Sequence, residues 1–217
     1  MNERNIILTR HLDTQYNTSG SLMGREIDLE IKNDENVDIL ISKIAMASNS
    51  MDIKAANTLL VSSPLRRCIQ TSQVIAKALH LPENILLISE LTETDMGDFT
   101  GKEISKLRSE YGELIDQWMH EPENFTFPGG ESYKDVKKRV KIAMEKLRKE
   151  IFMNHYQNIF VCTHVDIIKM LLFEILGVSF NERRKISIPN GSISKIAINR
   201  EKEMQILGIN IFPNLKL

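Results

Sequence analysis

The chain is predicted to be an α/β protein, a three-layer α/β/α sandwich built on a mostly parallel sheet. Three observations predict this. Short runs of β-branched and aliphatic residues are apolar throughout, as strands covered on both faces must be. Amphipathic helical patterns alternate with them. Polar and ring-bearing residues stand where the runs end, which is where ligands bind in open α/β sheets.

The elements follow in order. Asn5 to Thr9 is apolar and β-branched and stops at Arg10-His11, a buried strand by pattern. Residues 12 to 36, with Gly20, Gly24 and many acidic side chains, suit a solvated loop. Val37, Leu40, Ile41 and Ile44 recur at helical spacing. Leu59 to Val61 forms a second buried strand that ends at Ser62-Ser63. Ser63 as N-cap and Pro64 in the first turn then open a helix with Leu65, Ile69, Ser72, Ile75, Ala76 and Leu79 on one face. Ile85 to Ile88 gives a third buried strand, followed by an acidic segment from Glu90 to Asp98.

Residues 102 to 127 suit short helices and loops around Trp118. After Pro128-Gly129-Gly130, Ser132 and Asp135 have capping-box spacing ahead of a helix that carries Val136, Val140, Ala143, Leu147 and Ile151. Asn158 to Thr163 is a fourth buried strand ending at His164. The next helix, with Ile167, Ile168, Leu171, Leu172 and Ile175, is stopped by Gly177. Ile193 to Ile198 and Met204 to Ile209 alternate, as a terminal hairpin would. With no internal repeat or linker, the expectation is one domain over 1–217 with a cap insertion at about 100–130.

Composition excludes several classes. The 217 residues are 42% hydrophobic and 26% charged, which rules out bulk disorder. A net charge of −1 provides no basic field for nucleic acid or an anionic membrane, and no nucleic-acid or membrane partner is expected. The apolar runs are too short to span a bilayer, and the first residues lack a signal-peptide layout. Cys68 and Cys162, far apart and outside any Cys-x-x-Cys spacing, suit reduced core thiols. A cytoplasmic protein is expected, and a homodimer is left open.

Two histidines and an arginine pair at matching strand ends are the chemical signal. Arg66 and Arg67 fall in the first turn of a helix, where free N–H groups already project positive charge. Two cations there oppose the local field unless an anion is held nearby or the side chains turn to solvent, and the pattern alone leaves both open. Arginine suits phosphate through its paired donors. A neutral imidazole nitrogen can attack phosphorus when its other nitrogen is held as N–H. Cationic donors then stabilise the transferring group, and a carboxylic acid can protonate the leaving oxygen. His11, His80, His120, His155 and His164 show no metal-ligand spacing, so no metal and no cofactor are expected.

Leu8-Thr9-Arg10-His11, followed by Asn17, resembles the Arg-His-Gly motif of the histidine phosphatase superfamily, the phosphoglycerate mutase-like proteins. The resemblance continues in family order along most of the chain. It takes in Gly20 to Arg25 with Asp28, Ser62-Ser63-Pro64-Leu65-Arg66 with Gln70-Thr71, Leu91-Thr92-Glu93, Pro128 to Ser132, and Thr163-His164. It implies a phosphoglycerate mutase-like fold and a metal-independent histidine phosphatase acting on a small phosphorylated metabolite, with inorganic phosphate as product. His11 would become phosphohistidine, with Arg10, Arg66 and His164 around the phosphoryl group. Glu93 would serve as acid and then base, and Asn17 and Arg25 would contact substrate. A mutase, or a catalytically degraded module that binds phosphorylated ligands, is the alternative.

Departures from the pattern favour that last alternative. Leu12 stands where the family has glycine, Val165 and Asp166 stand where it commonly has glycine after the second histidine, and Met23 replaces a pocket glutamine. Bulk at Leu12 is expected to be dispensable, so that Leu12→Gly leaves activity unchanged or raises it. Asp166 would repel phosphate if it faced the pocket. The basic helix from Lys134 to Lys149 is expected to be a solvated face, and His80, His120 and His155 to be surface residues.

Overall fold

The computed structural model describes residues 4–48 and 53–211. Its sheet comprises β1 (Arg4–Arg10), β2 (Thr58–Ser62), β3 (Ile85–Leu87), β4 (Asn158–Thr163), β5 (Ile193–Ile198) and β6 (Met204–Gly208). The strand order is β3-β2-β4-β1-β5-β6. The first four of these neighbours run parallel, while β5 is antiparallel to β1 and β6 to β5. The sheet is therefore mixed but mostly parallel.

Alternation along the strands sends consecutive side chains to opposite faces. Ile7, Leu60, Phe160 and Ile193 pack against Leu40 and Ile44 of α2 (Glu35–Ser48) and Ile75 and Ala76 of α3 (Arg66–Ala78). Ile6, Leu8, Val61, Ile159 and Val161 face Val140, Ala143 and Leu147 of α6 (Tyr133–Phe152) and Ile168 and Leu171 of α7 (Val165–Leu176). Helices thus cover both faces, the expected three layers. Among the described residues the remaining α-helices are α1 (Gln15–Ser19), α4 (Ile104–Glu110) and α5 (Gly112–His120). Leu107, Ile115, Trp118, Phe125 and Phe127, from the region expected to form a cap, belong to the same buried cluster as α6 and α7. Among the described residues no helix is long and apolar enough to cross a membrane.

Three elements differ from expectation. Residues 12–36 were expected to be a loop, yet Gln15–Ser19 within them forms α1, its first turn closed by Asn17 on Thr14. β3 was expected to be buried, yet Leu86 and Leu87 are exposed. β3 pairs only with β2 and forms the sheet edge, so its flanks lack the second neighbour a central strand has. Helix α3 begins at Arg66 with Leu65 as its N-cap, rather than with Ser63 as cap and Pro64 in the first turn. Ser63 follows the last residue of β2 and its N–H donates to Cys162 O at 2.9 Å, while its Oγ accepts from Leu65 N at 3.4 Å, so the chain stays extended through Leu65 before the helix begins.

Candidate active site

β1, β2 and β4 end side by side, and their C-terminal residues build the site. His11 follows β1, its N–H donating to Thr163 O at 3.0 Å. The Leu12 N–H donates to Thr71 Oγ1 (3.0 Å), and Asn190 Nδ2 donates to His11 O (2.9 Å). The loop that carries His11 and Leu12 is therefore pinned on both sides. His11 Nδ1 lies 2.7 Å from Leu12 O, which can only accept. Nδ1 is thus the protonated nitrogen and Nε2 keeps its lone pair. The ring is buried, and burial with Arg10 and Arg67 nearby holds its pKa well below the ordinary imidazole value.

His164 caps α7 at the end of β4. Its ring centroid is 5.3 Å from that of His11, with the planes at 58°. Nε2 lies 2.9 Å from Ser63 Oγ and 3.4 Å from Cys68 Sγ. Burial, followed by the charge of Arg67, keeps this ring neutral as well. The two histidines therefore converge as expected. Arg10 anchors through Nη1 to Ile188 O at 2.7 Å, and its charge reaches both rings.

Arg66 does not join them. Its guanidinium is largely exposed, 3.3 Å from Glu30, and lines an open cleft of about 330 Å³ with Asp28, Glu30 and Lys32. The buried cation is Arg67, whose Nη1 donates to Ile27 O (2.7 Å) and Nη2 to Gly24 O (2.9 Å). The reason is helical periodicity. Arg67 shares the inward stripe with Thr71 and Ile75, whereas Arg66 points one residue round to solvent. The cation pair at the helix start is compensated by Asp28, which accepts the Arg66 N–H at 2.7 Å and sits 3.9 Å from Arg67 Nη1. The anion called for at that helix start is in part the protein's own carboxylate.

Asn17 and Arg25 also have partners within the chain. Asn17 Oδ1 accepts from Thr14 N (2.9 Å) and Thr14 Oγ1 (2.9 Å), closing the first turn of α1. Arg25 is ion-paired with Glu131.

Glu93 is buried, and its Oε1 accepts from Thr94 N at 3.0 Å. Burial, then the neighbouring Asp166 carboxylate, raises its pKa to about 7. The loop that carries it is held by Arg139 of α6, a residue expected to be solvated. Arg139 Nη1 donates to Glu90 O (2.8 Å) and Thr92 O (2.6 Å), and Nη2 to Glu93 O (3.2 Å). Nε and Nη2 also form a fork with Glu131 at 2.9 and 3.0 Å. Thr163 Oγ1 adds a bond to Leu91 O at 2.7 Å. The Pro128–Gly130 turn lies directly against this loop. A Cβ on Gly97 would come within 2.1 Å of Pro128 O, and one on Gly130 within 2.5 Å of Asp95 O, so both must be glycine.

Sequence reasoning named Arg67 beside Arg66 but gave the site role to Arg66, read Ser63 only as a helix cap, and missed Arg139. Arg67 was legible from its place four residues before Thr71 on the buried face. No local pattern marks Arg139, whose partners lie on a distant loop.

The sequence profile of the histidine phosphatase superfamily (branch 1) matches residues 6–211. The chain belongs to the histidine phosphatase superfamily. Among curated relatives of this superfamily member, phosphoserine phosphatase 1 of Hydrogenobacter thermophilus is 27% identical over 97% of this chain and 93% of its own length. The adenosylcobalamin/alpha-ribazole phosphatase of Escherichia coli is 24% identical, covering 89% and 90%. The probable phosphoglycerate mutase GpmB of Salmonella paratyphi C is 26% identical, covering 88% and 83%. The fold is that of the alpha-ribazole phosphatase from Shigella flexneri, with a TM-score of 0.76 at 22% identity over 95% and 96% of the two chains.

Proposed function

We propose that this protein is a metal-independent phosphomonoesterase that works through phosphohistidine at His11 on a small phosphorylated metabolite. One observation carries the reading: the Nδ1–Leu12 O bond fixes the tautomer and leaves Nε2 as the free nucleophile, in a ring too buried to be protonated at neutral pH. Two features support it. The buried Nε atoms of Arg10 and Arg67 have no hydrogen-bond partner among the described residues, and an anionic oxygen would satisfy such donors. Relatives along nearly the whole chain are phosphatases by name.

In the first step the His11 Nε2 lone pair forms an N–P bond as the ester P–O bond breaks. The proton of Glu93, held on the carboxyl by its raised pKa, passes to the leaving oxygen. Arg10, Arg67 and His164 surround the transferring group and stabilise its equatorial oxygens. In the second step the Glu93 carboxylate takes a proton from water as the water oxygen bonds to phosphorus. The N–P bond breaks, releasing inorganic phosphate and restoring neutral His11 and protonated Glu93.

The test is turnover of p-nitrophenyl phosphate in EDTA, together with acid-quenched phosphoenzyme. His11→Ala should reduce turnover by about 1000-fold or more and abolish the phosphoenzyme. Turnover retained in His11→Ala, or lost in EDTA, overturns the proposal. A phosphoenzyme that discharges only to a phosphoglycerate acceptor would make the protein a mutase, the reading its likeness to GpmB favours. Release of phosphate from a panel that includes phosphoserine would then fix the substrate.

A further inference from the structure

We propose that Asn190 is a positioning residue of this site, holding the carbonyls of His11 and Leu12 so that Leu12 O stays on the imidazole Nδ1 and the ring keeps its orientation. Its role in the reaction rests on the phosphatase reading, which it deepens. Asn190 belongs to a tight turn just before β5, far along the chain from the motifs that mark the site. The Ser192 N–H closes the turn on Pro189 O at 3.0 Å, and Gly191, third of its four residues, takes a φ of +64° that glycine tolerates. The turn is tied closely to the end of β1. Ile188 O accepts from Arg10 Nη1 (2.7 Å), Ser192 O accepts from Arg10 N (3.2 Å), and Gly191 N lies 3.1 Å from Arg10 O and 3.3 Å from His11 O. On its outer side the buried Lys43 of α2 donates to Gly191 O at 3.3 Å. Arg10 and His11 thus take their places from one short segment.

The Asn190 side chain does what the backbone of the turn cannot. Its Nδ2 lies 2.9 Å from His11 O and 3.4 Å from Leu12 O. Both oxygens can only accept, so the amide nitrogen rather than the amide oxygen must face them. Nδ2 is also 3.4 Å from His11 Nδ1. Both of these nitrogens carry hydrogen, so they do not bond each other; they converge on Leu12 O, which His11 Nδ1 reaches at 2.7 Å. The His11–Leu12 peptide is gripped at its two ends, by Thr71 Oγ1 on the N–H and by Asn190 on the C=O. With the amide removed, Leu12 O is free to swing. The buried Nδ1–H would then lose its partner, or the proton would move to Nε2 and take away the lone pair that attacks phosphorus. Asn190 lies on the Nδ1 edge of the ring, so its loss should be felt in kcat and not in KM.

The experiment compares the full-length protein with Asn190→Ala in two measurements. For p-nitrophenyl phosphate in EDTA, kcat should fall by about 10- to 100-fold while KM stays within about threefold. In nitrogen-edited NMR, the His11 Nδ1–H signal, assigned by its loss in His11→Ala, should exchange with water about tenfold faster or more. A residue that served only to shape the turn would move neither. Asn190→Ser, which suits a tight turn but is too short to reach both carbonyls, gives the same readouts if the alanine variant does not fold. A folded variant with the wild-type kcat, or with His11 Nδ1–H as protected as in the wild type, overturns the proposal. Failure of the phosphatase reading is seen separately, as turnover that survives in His11→Ala; faster Nδ1–H exchange in Asn190→Ala would still support the positioning role.

Discussion

Exchanging Arg67 and Arg66 one at a time discriminates most sharply between the site as built and the site as the sequence suggested. The Arg67 guanidinium is fully buried, tied to Ile27 O and Gly24 O, and its charge acts on His11, His164 and Glu93. It is a preorganised cation in a dry site, and losing one such donor costs about 3–4 kcal/mol of transition-state stabilisation. Arg67→Ala should therefore lower kcat/KM for p-nitrophenyl phosphate by about 100- to 1000-fold. Arg66 offers only an exposed pair with Glu30, the two side chains 59% and 65% accessible, a contact worth about 0–1 kcal/mol. Arg66→Ala should change kcat/KM less than about threefold. Steady-state rates in EDTA, with melting temperatures as a control for folding, decide the matter. A hundredfold loss in Arg66→Ala, or a near-wild-type rate in Arg67→Ala, would refute the assignment.

Two further outcomes are expected. Leu12 is 1% exposed, packs with Ile7, Leu40 and Phe160, and lies over Gly191, so Leu12→Gly removes core rather than strain and should destabilise by about 3–5 kcal/mol in urea titrations. Stability within about 1 kcal/mol of wild type would show that the side chain is dispensable after all. Stability should also fall on acidification below pH 6.5. His11 and His164 stay neutral in the fold while the unfolded imidazoles take protons below 6.5, and Glu93, at about 7 folded against 4.5 unfolded, works in the opposite direction. Two groups against one leave a net loss of about 1.4 kcal/mol per pH unit, and His164→Asn should flatten the slope. Stability that rises between pH 6.5 and 5 would contradict the burial of these rings.

How much of this was legible depends on the range of the signal. Periodicity located β1, β2, β4, α6 and α7, because a strand buried on both faces leaves an unmistakable apolar run and an amphipathic helix a stripe. The ends of β1 and β4 marked His11 and His164 because a polar residue there has to leave the core. The position of β3 at the sheet edge was not legible, since four apolar residues read alike at an edge and at a centre. The choice between Arg66 and Arg67 could be read from helix phase, but motif matching overrode it. The partners of Arg25 and Asn17 could not be foreseen, because Glu131 and the Thr14 turn meet them only through tertiary contacts. Leu12 read as an obstruction because the motif has glycine there, whereas the fold turns the side chain inward.

The Arg139 clamp has a consequence for how this scaffold can change. Three hydrogen bonds from one guanidinium to the backbone of that strip, two more to Glu131, and the Thr163 and glycine contacts behind leave the strip bearing Glu93 no freedom to retreat. If the protein hydrolyses phosphate esters as proposed, bulkier ones would meet a fixed wall at Glu93, whereas the cleft bordered by Asp28, Glu30, Lys32 and Arg66 is open to water. On that reading, substitutions in the cleft would alter substrate choice while Glu93 stays in place.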